Sequence, residues 1–242
     1  MSFPARTISP RPPTFEKLDA MPSSTVHLLR HGEVQNPTGV LYGRLPEFHL
    51  SERGRRMAEC VAEHFAQQAN DGARIVLVAA SPLTRAQETA APTAAALGLE
   101  TATEPRIIEA ENHFEGLKVT SRELARPRHW RYLLNPLRPS WGEPYEAQAA
   151  RVLAAVVDAA RTAVERGGDG AQAILVAHQL PIWTARLKSE GRALWHDPRK
   201  RECTLASLTS LTVDTTTGAV ISVRYAEPAA ALLPGAATTP GA

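Results

Sequence analysis

The chain is poor in the residues that would assign it to several common classes of protein. It has two cysteines, Cys60 and Cys203, too few for a disulfide framework and without the spacing of a metal-thiolate site. Cys60 falls in an amphipathic stretch and Cys203 just before a strand pattern, so both read as packing residues. Lysine is equally scarce: Lys17, Lys118, Lys188 and Lys200 are the full set, and nearly all the positive charge is arginine. A formal net charge of only +2 argues against bulk binding of nucleic acid. No run approaches the roughly 18 apolar residues needed to cross a bilayer. The N-terminus lacks the apolar core of a secretory signal. These absences leave a cytoplasmic enzyme as the expectation, with neither nucleic acid nor membrane as partner. No glycine-rich cofactor motif or metal-ligand cluster is apparent, so no cofactor and no metal are expected.

What the chain does contain suits an ordinary globule. Hydrophobic residues make up 43% and charged residues 21% of the 242 positions, enough for one domain with a generous core. Residues 1–23 carry Pro4, Pro10, Pro12, Pro13 and Pro22 with little apolar periodicity, and read as a disordered leader. Met21 stands just before the first strand pattern and is a second candidate start. Residues 228–242 are rich in Ala, Pro and Gly and read as a flexible tail. Between them, in residues 24–227, strand and helix patterns alternate. Strands are predicted over 25–30, 74–80, 105–108 and 173–178, and helices over 52–69, 84–97, 144–165 and 181–190. Ser51 is the expected N-cap of the first helix. Two alternating strands, 205–213 and 219–225, flank Thr217-Gly218 as an edge hairpin. Alternating βα units imply an α/β fold: a three-layer α/β/α sandwich around a mainly parallel sheet.

The most informative segment is Val26-His27-Leu28-Leu29-Arg30-His31-Gly32-Glu33. Its apolar first half is a buried strand, and the glycine allows a tight turn at the end. A histidine there faces the crevice at the carboxyl edge of the sheet, where open α/β folds place their ligands. The adjoining arginine is permanently charged and shaped to fork onto phosphate oxygens. A neutral imidazole beside such a clamp is a candidate nucleophile for phosphorus.

Further blocks follow in a telling order. Tyr42-Gly43-Arg44 and Leu50-Ser51-Glu52-Arg53-Gly54 come first, then Ser81-Pro82-Leu83-Thr84-Arg85-Ala86-Gln87-Glu88-Thr89-Ala90. Next are Ile107-Ile108-Glu109, Glu115-Gly116, Trp141-Gly142-Glu143 with Arg151, and Val176-Ala177-His178. Together with Arg30-His31-Gly32-Glu33, this ordered set, from about residue 25 to residue 225, resembles the histidine phosphatase superfamily, the phosphoglycerate mutase-like proteins.

The resemblance implies a phosphoglycerate mutase-like fold, an inserted cap over residues 117–144, and phosphoryl transfer without metal or cofactor. His31 would be the nucleophile, Arg30 and Arg85 the phosphate clamps, and His178 a third donor, cationic while phosphate is bound. Asn36 is either a neutral amide donor or a plain turn residue. Glu109 is the expected acid, with Glu111 and Glu115 as rivals. Arg44 and Gln179 are further substrate-binding candidates. In the cap, Arg128 and Arg131 stand among aromatics Trp130, Tyr132 and Trp141, which suits an anionic substrate with a flat or apolar part. Surface helix packing explains that composition equally well. The stretch from Trp195 to Arg201 is either part of the same rim or a solvated basic loop.

The chain departs from the family pattern at Gln179, where glycine is usual, at Val34 in place of a frequent threonine, and around Tyr42, where the mutase tryptophan is missing. These differences favour a phosphatase acting on a small phosphorylated metabolite. A phosphomutase and a non-catalytic binder of phosphorylated ligands remain the alternatives.

Overall fold

Strand β1 (Ser23–Arg30) runs through the middle of a six-stranded sheet of order β3-β2-β4-β1-β5-β6. The computed structural model describes residues 21–133 and 142–236. Helix α1 (Glu52–Asn70) leads to β2 (Ile75–Ala80), α2 (Thr84–Leu97) and the short edge strand β3 (Thr101–Thr103). Two short helices follow, α3 (Ser121–Leu124) and α4 (Pro127–Leu133), then the long α5 (Tyr145–Gly167). The chain returns through β4 (Gln172–Ala177) and α6 (Gln179–Ser189), and closes with the hairpin β5 (Leu208–Asp214) and β6 (Val220–Ala226). Strands β1 to β4 are mutually parallel where they pair, and only β5 and β6 run antiparallel. The sheet is therefore mainly parallel, as the alternating pattern implies.

Two cores, one on each face, hold the three layers together. Successive strand side chains point to opposite faces, so β1 sends Leu28 to one core and Leu29 to the other. In β4, Ala173, Leu175 and Ala177 join the first, while Ile174 and Val176 join the second. Helix α5 covers the first core with Val152, Ala155, Val156, Ala159, Ala160 and Ala163, a spacing that keeps one stripe inward. Four of these six are alanines, which lets the helix backbone lie close to the sheet. Helices α1 and α2 cover the second core through Met57, Val61, Phe65, Ala86, Ala90 and Ala94.

Two sequence expectations change. Residues 105–108 are not a strand: Pro105–Ile107 form a single 3-10 turn, capped by Glu104 accepting from the Arg106 N–H, and the edge strand lies earlier at Thr101–Thr103. Nor is the segment after Pro228 simply a tail. Ala229 is buried, and Leu232, Leu233 and Ala236 pack on the second core, because that face remains open beside Leu205 and Leu208. Residues 1–20 and 237–242, which hold the rest of the expected leader and tail, lie outside the described residues.

The start of α1 shows how tightly the His31 loop is seated. Ser51 caps the helix by accepting from the Gly54 N–H at 3.0 Å, and its own N–H donates to the Glu33 carbonyl at 2.9 Å. Loop and helix meet glycine to glycine: a Cβ on Gly54 would fall 2.0 Å from the Glu33 carbonyl oxygen, and one on Gly32 would fall 2.6 Å from that of Gly54. Gly54→Ala must push backbone against backbone. It is expected to lower stability by about 1–3 kcal/mol, read as an earlier midpoint in urea, and to displace His31.

Candidate active site

Strand order assembles the site. Because β2, β4 and β1 are parallel neighbours, their carboxyl ends share one edge, and β4 lies between the other two. The residues after them are Ser81, His178 and His31. The His31 N–H donates to the Ala177 carbonyl at 3.1 Å and that of Ser81 to the Val176 carbonyl at 2.9 Å. The imidazoles of His31 and His178 consequently lie 5.2 Å apart, and His178 Nε2 is 2.7 Å from Ser81 Oγ.

His31 is almost fully buried, and its Nδ1 is 2.8 Å from the Gly32 carbonyl oxygen. A carbonyl can only accept, so the Nδ1 proton is fixed there and Nε2 keeps its lone pair. Burial first, then the charges of Arg85 and Arg30, hold the His31 pKa well below the usual histidine range. The same causes, burial ahead of Arg85, lower that of His178. For both rings burial thus favours the neutral form over the cation.

Arg85 sits in the first turn of α2, 1% exposed. Its Nη2 donates to the Gly43 carbonyl at 2.5 Å, and its guanidinium lies 4.7 Å from the centre of the Tyr42 ring. Arg30 donates through Nη1 to the Cys203 carbonyl at 2.7 Å. Thr89, one turn beyond Arg85, accepts from the Gly32 N–H at 3.1 Å and donates to the Arg85 carbonyl at 2.7 Å. That contact ties the Ser81–Ala90 box to the His31 loop.

Glu109 is the carboxyl in the crevice. Burial raises its pKa, opposed by the Ala110 N–H, which donates to Oε1 at 2.8 Å, and then by Arg85, Arg201 and Arg30. Desolvation, rather than the like charge of a phosphate, is thus the first cause of its raised pKa. The rivals are placed otherwise. Glu111 is exposed and paired with Arg44 at 2.8 Å, and Glu115 accepts the Arg44 backbone N–H at 3.0 Å.

Arg85 Nε, His178 Nδ1 and the Tyr42 hydroxyl are buried here with no hydrogen-bond partner among the described residues. Buried polar groups are normally satisfied, so a cluster of exceptions beside three arginines describes an anion-binding crevice. Among the described residues no group of three His, Cys, Asp or Glu side chains is arranged to hold a metal, and no helix is long and apolar enough to cross a membrane.

The model of the histidine phosphatase superfamily, branch 1, matches residues 26–225. The chain belongs to the histidine phosphatase superfamily. It is 52% identical over 213 residues to the "Uncharacterized protein Rv0525" of Mycobacterium tuberculosis H37Rv, covering 87% of this chain and all of that one. In structure it resembles the mycobacterial glucosyl-3-phosphoglycerate phosphatase Rv2419c, with TM-score 0.62 and 23% identity over 84% of this chain and 96% of that one. It also resembles a phosphoglycerate mutase from Bacillus anthracis Sterne, with TM-score 0.62 and 19% identity over 86% and 94%. At that identity the two structures establish the shared fold.

Several residues expected to bind substrate in this histidine phosphatase superfamily member make contacts within the protein. Asn36 closes its own turn, donating to the Val40 carbonyl at 2.8 Å and accepting from the Val40 N–H at 3.3 Å. Arg44 is a brace. It reaches the Glu109 carbonyl at 2.6 Å, Glu111 at 2.8 Å and Glu143 at 3.4 Å, and Arg151 grips Glu143 with two contacts of 2.7 Å. Those contacts, one to a carbonyl and two to carboxylates, engage all three of its nitrogens.

Arg128, in the cap, is exposed and paired with Glu123 on α3. Trp130 is 58% exposed, its indole N–H donating to the Ala125 carbonyl at 3.1 Å. The cap is anchored instead by His129, buried against His113 and Phe114. Arg131 lies on α4, but its side chain, like Trp141, is outside the described residues.

Gln179 does line the wall beside Arg30: its amide donates at 3.2 Å to the Cys203 carbonyl that also receives Arg30. Sequence reasoning missed two neighbours. The sequence places Tyr42 only within the Tyr42-Gly43-Arg44 block, and Arg201 only within a stretch that is either rim or basic loop, with no role for either residue. A basic residue just ahead of a strand that borders β1 was the available signal for Arg201.

Proposed function

We propose that the chain is a metal-independent phosphomonoesterase that works through phosphohistidine on a small phosphorylated metabolite. The observation that carries this reading is the locked tautomer of His31, which leaves the Nε2 lone pair beside two guanidiniums and a second imidazole. In the first step Nε2 attacks phosphorus, the bond to the ester oxygen breaks, and Glu109 gives its proton to that departing oxygen. Arg30, Arg85 and His178 hold the equatorial oxygens, where charge must be absorbed during transfer. In the second step ionised Glu109 takes a proton from water as the oxygen attacks phosphorus. The N–P bond then breaks, its electrons return to Nε2, and inorganic phosphate leaves. Neutral His31 and protonated Glu109 are thereby restored.

The test is turnover of a panel of phosphorylated metabolites by the full chain with a chelator present, in water enriched in oxygen-18. Release of phosphate carrying one solvent oxygen is the expected result. Transfer of the phosphoryl group to a second hydroxyl of the substrate, without solvent oxygen, would make the chain a mutase. Binding without any turnover would overturn the catalytic reading.

A further inference from the structure

The segment between α6 and β5 carries three arginines, and with Arg186 of α6 they make four whose partners can be compared. Arg192 pairs with Glu190 at 2.7 Å and Arg199 with Asp197 at 2.8 Å. Arg186, on α6 itself, pairs with both Glu190 and Glu202. Arg201 is the exception among these: no carboxylate among the described residues lies within ion-pair distance of it, and its hydrogen-bond partners among them are neutral. Its Nε donates to His196 Nε2 at 2.8 Å, and its Nη1 donates weakly to Gln179 Oε1 at 3.4 Å. His196 Nδ1 is 2.6 Å from the Leu194 carbonyl, so that ring carries its proton on Nδ1 and receives Arg201 on Nε2. Tyr145 lies close enough to Arg201 to interact with it as a hydrogen-bond partner.

Position gives this cation a meaning. Gln179, which Arg201 touches, shares the Cys203 carbonyl with Arg30, so three hydrogen bonds link Arg201 to the phosphate clamp. Glu109 faces three cations, Arg85, Arg201 and Arg30. Of these, Arg30 and Arg85 are assigned to the phosphoryl group, and Glu115 also interacts with Arg85. Arg201 is left in a partly buried place without an ion pair among the described residues, where an uncompensated charge is costly. Glu109 also marks where the departing oxygen must lie, and Arg201 is on its side of the crevice. Held by His196 and Gln179, the guanidinium is already oriented, so little entropy is lost when it binds.

We propose that Arg201, backed by Gln179 and Tyr145, is a specificity-determining residue that binds a second anionic group, a carboxylate or a further phosphate, on the departing part of the substrate. The proposal rests on the assignment of the crevice to phosphoryl groups, and the test separates the two. Calorimetry with the full chain would compare short phosphonoalkanoates, α,ω-bisphosphonates and plain alkylphosphonates of matched chain length. These ligands are not hydrolysed, so the comparison does not require catalysis.

The wild type should bind at least one of the two doubly anionic series about tenfold or more tightly than the plain series, as for a charge-assisted contact. Whichever series wins identifies the second anion as carboxylate or phosphate. Arg201→Met should lose much more affinity for that series than for alkylphosphonates, and Arg201→Lys should recover part of the difference. Equal affinity for all three series in the wild type would overturn the proposal, whether or not the variants fold. Equal weakening of all three by Arg201→Met would overturn it too, making Arg201 part of the phosphoryl clamp. Discrimination among phosphonates without turnover of any ester would sink the phosphatase reading and leave this one standing. No phosphonate binding at all would sink both.

Discussion

His31→Ala is expected to abolish turnover, by on the order of 10⁴-fold or more, as when a covalent nucleophile is removed, and with it any trapped phosphoenzyme. The wild type, quenched during turnover of a labelled ester, should carry a phosphoryl group that is stable in base, labile in acid and located on His31. The variant should still fold, because His31 contributes hydrogen bonds at a strand end and is absent from both hydrophobic cores. It should even resist acid better. His31 has a lowered folded pKa, so the unfolded chain takes up a proton on that ring more readily. Stability is lost as pH falls below the ordinary histidine value near 6.5, and removing the ring removes that loss. A phosphoenzyme persisting in the variant would reassign the nucleophile, with His178 next in line.

Glu109→Gln is expected to separate substrates by their leaving groups. Alkyl esters need a proton on the departing oxygen and should slow by about 10²–10⁴-fold, the usual worth of a positioned acid. Aryl esters with acidic phenols need little help in the first step and should form phosphohistidine at near the wild-type rate. The pH profile carries the sign. The Glu109 pKa is raised, so wild-type activity on alkyl esters should decline as pH climbs through that raised value, and the variant should lack this limb. Stability should move the opposite way. The folded state holds this proton more tightly than the unfolded chain, so raising pH above the ordinary carboxyl value near 4.5 weakens the wild type. Glu109→Gln should therefore melt higher than wild type at neutral pH. Uniform loss on both ester types would hand the acid role to another group.

Much of this was legible in the sequence because local signals agreed with one another. The first helix was expected to begin at Ser51, and it does, since a serine before the apolar periodicity caps an exposed N–H. The span 84–97 ends at Gly98, whose positive φ of 66° suits a helix terminator. Pro105 to Ile108 misled because two isoleucines read as a strand, while the proline and the Glu104 cap favour a tight turn. The position of β4 between β1 and β2 has no local signature, being settled by which apolar faces match. The same limit applies to Arg44, Arg128 and Arg201. Each is an arginine in a loop or short helix, and only the fold shows that two have carboxylate partners and the third has none among the described residues.

The insertion of β4 between β1 and β2 also sets when the protein can first work. A ribosome delivers β1 and β2 early, but the strand that must lie between them begins only at Gln172. Until it emerges, His31 and Ser81 have no common edge to occupy, and two apolar strands wait without their central partner. Such distant pairings close slowly, and exposed strand edges invite aggregation in the meantime. A growing chain of this kind leans on whatever shields it during synthesis, and truncation before Gln172 yields no smaller enzyme.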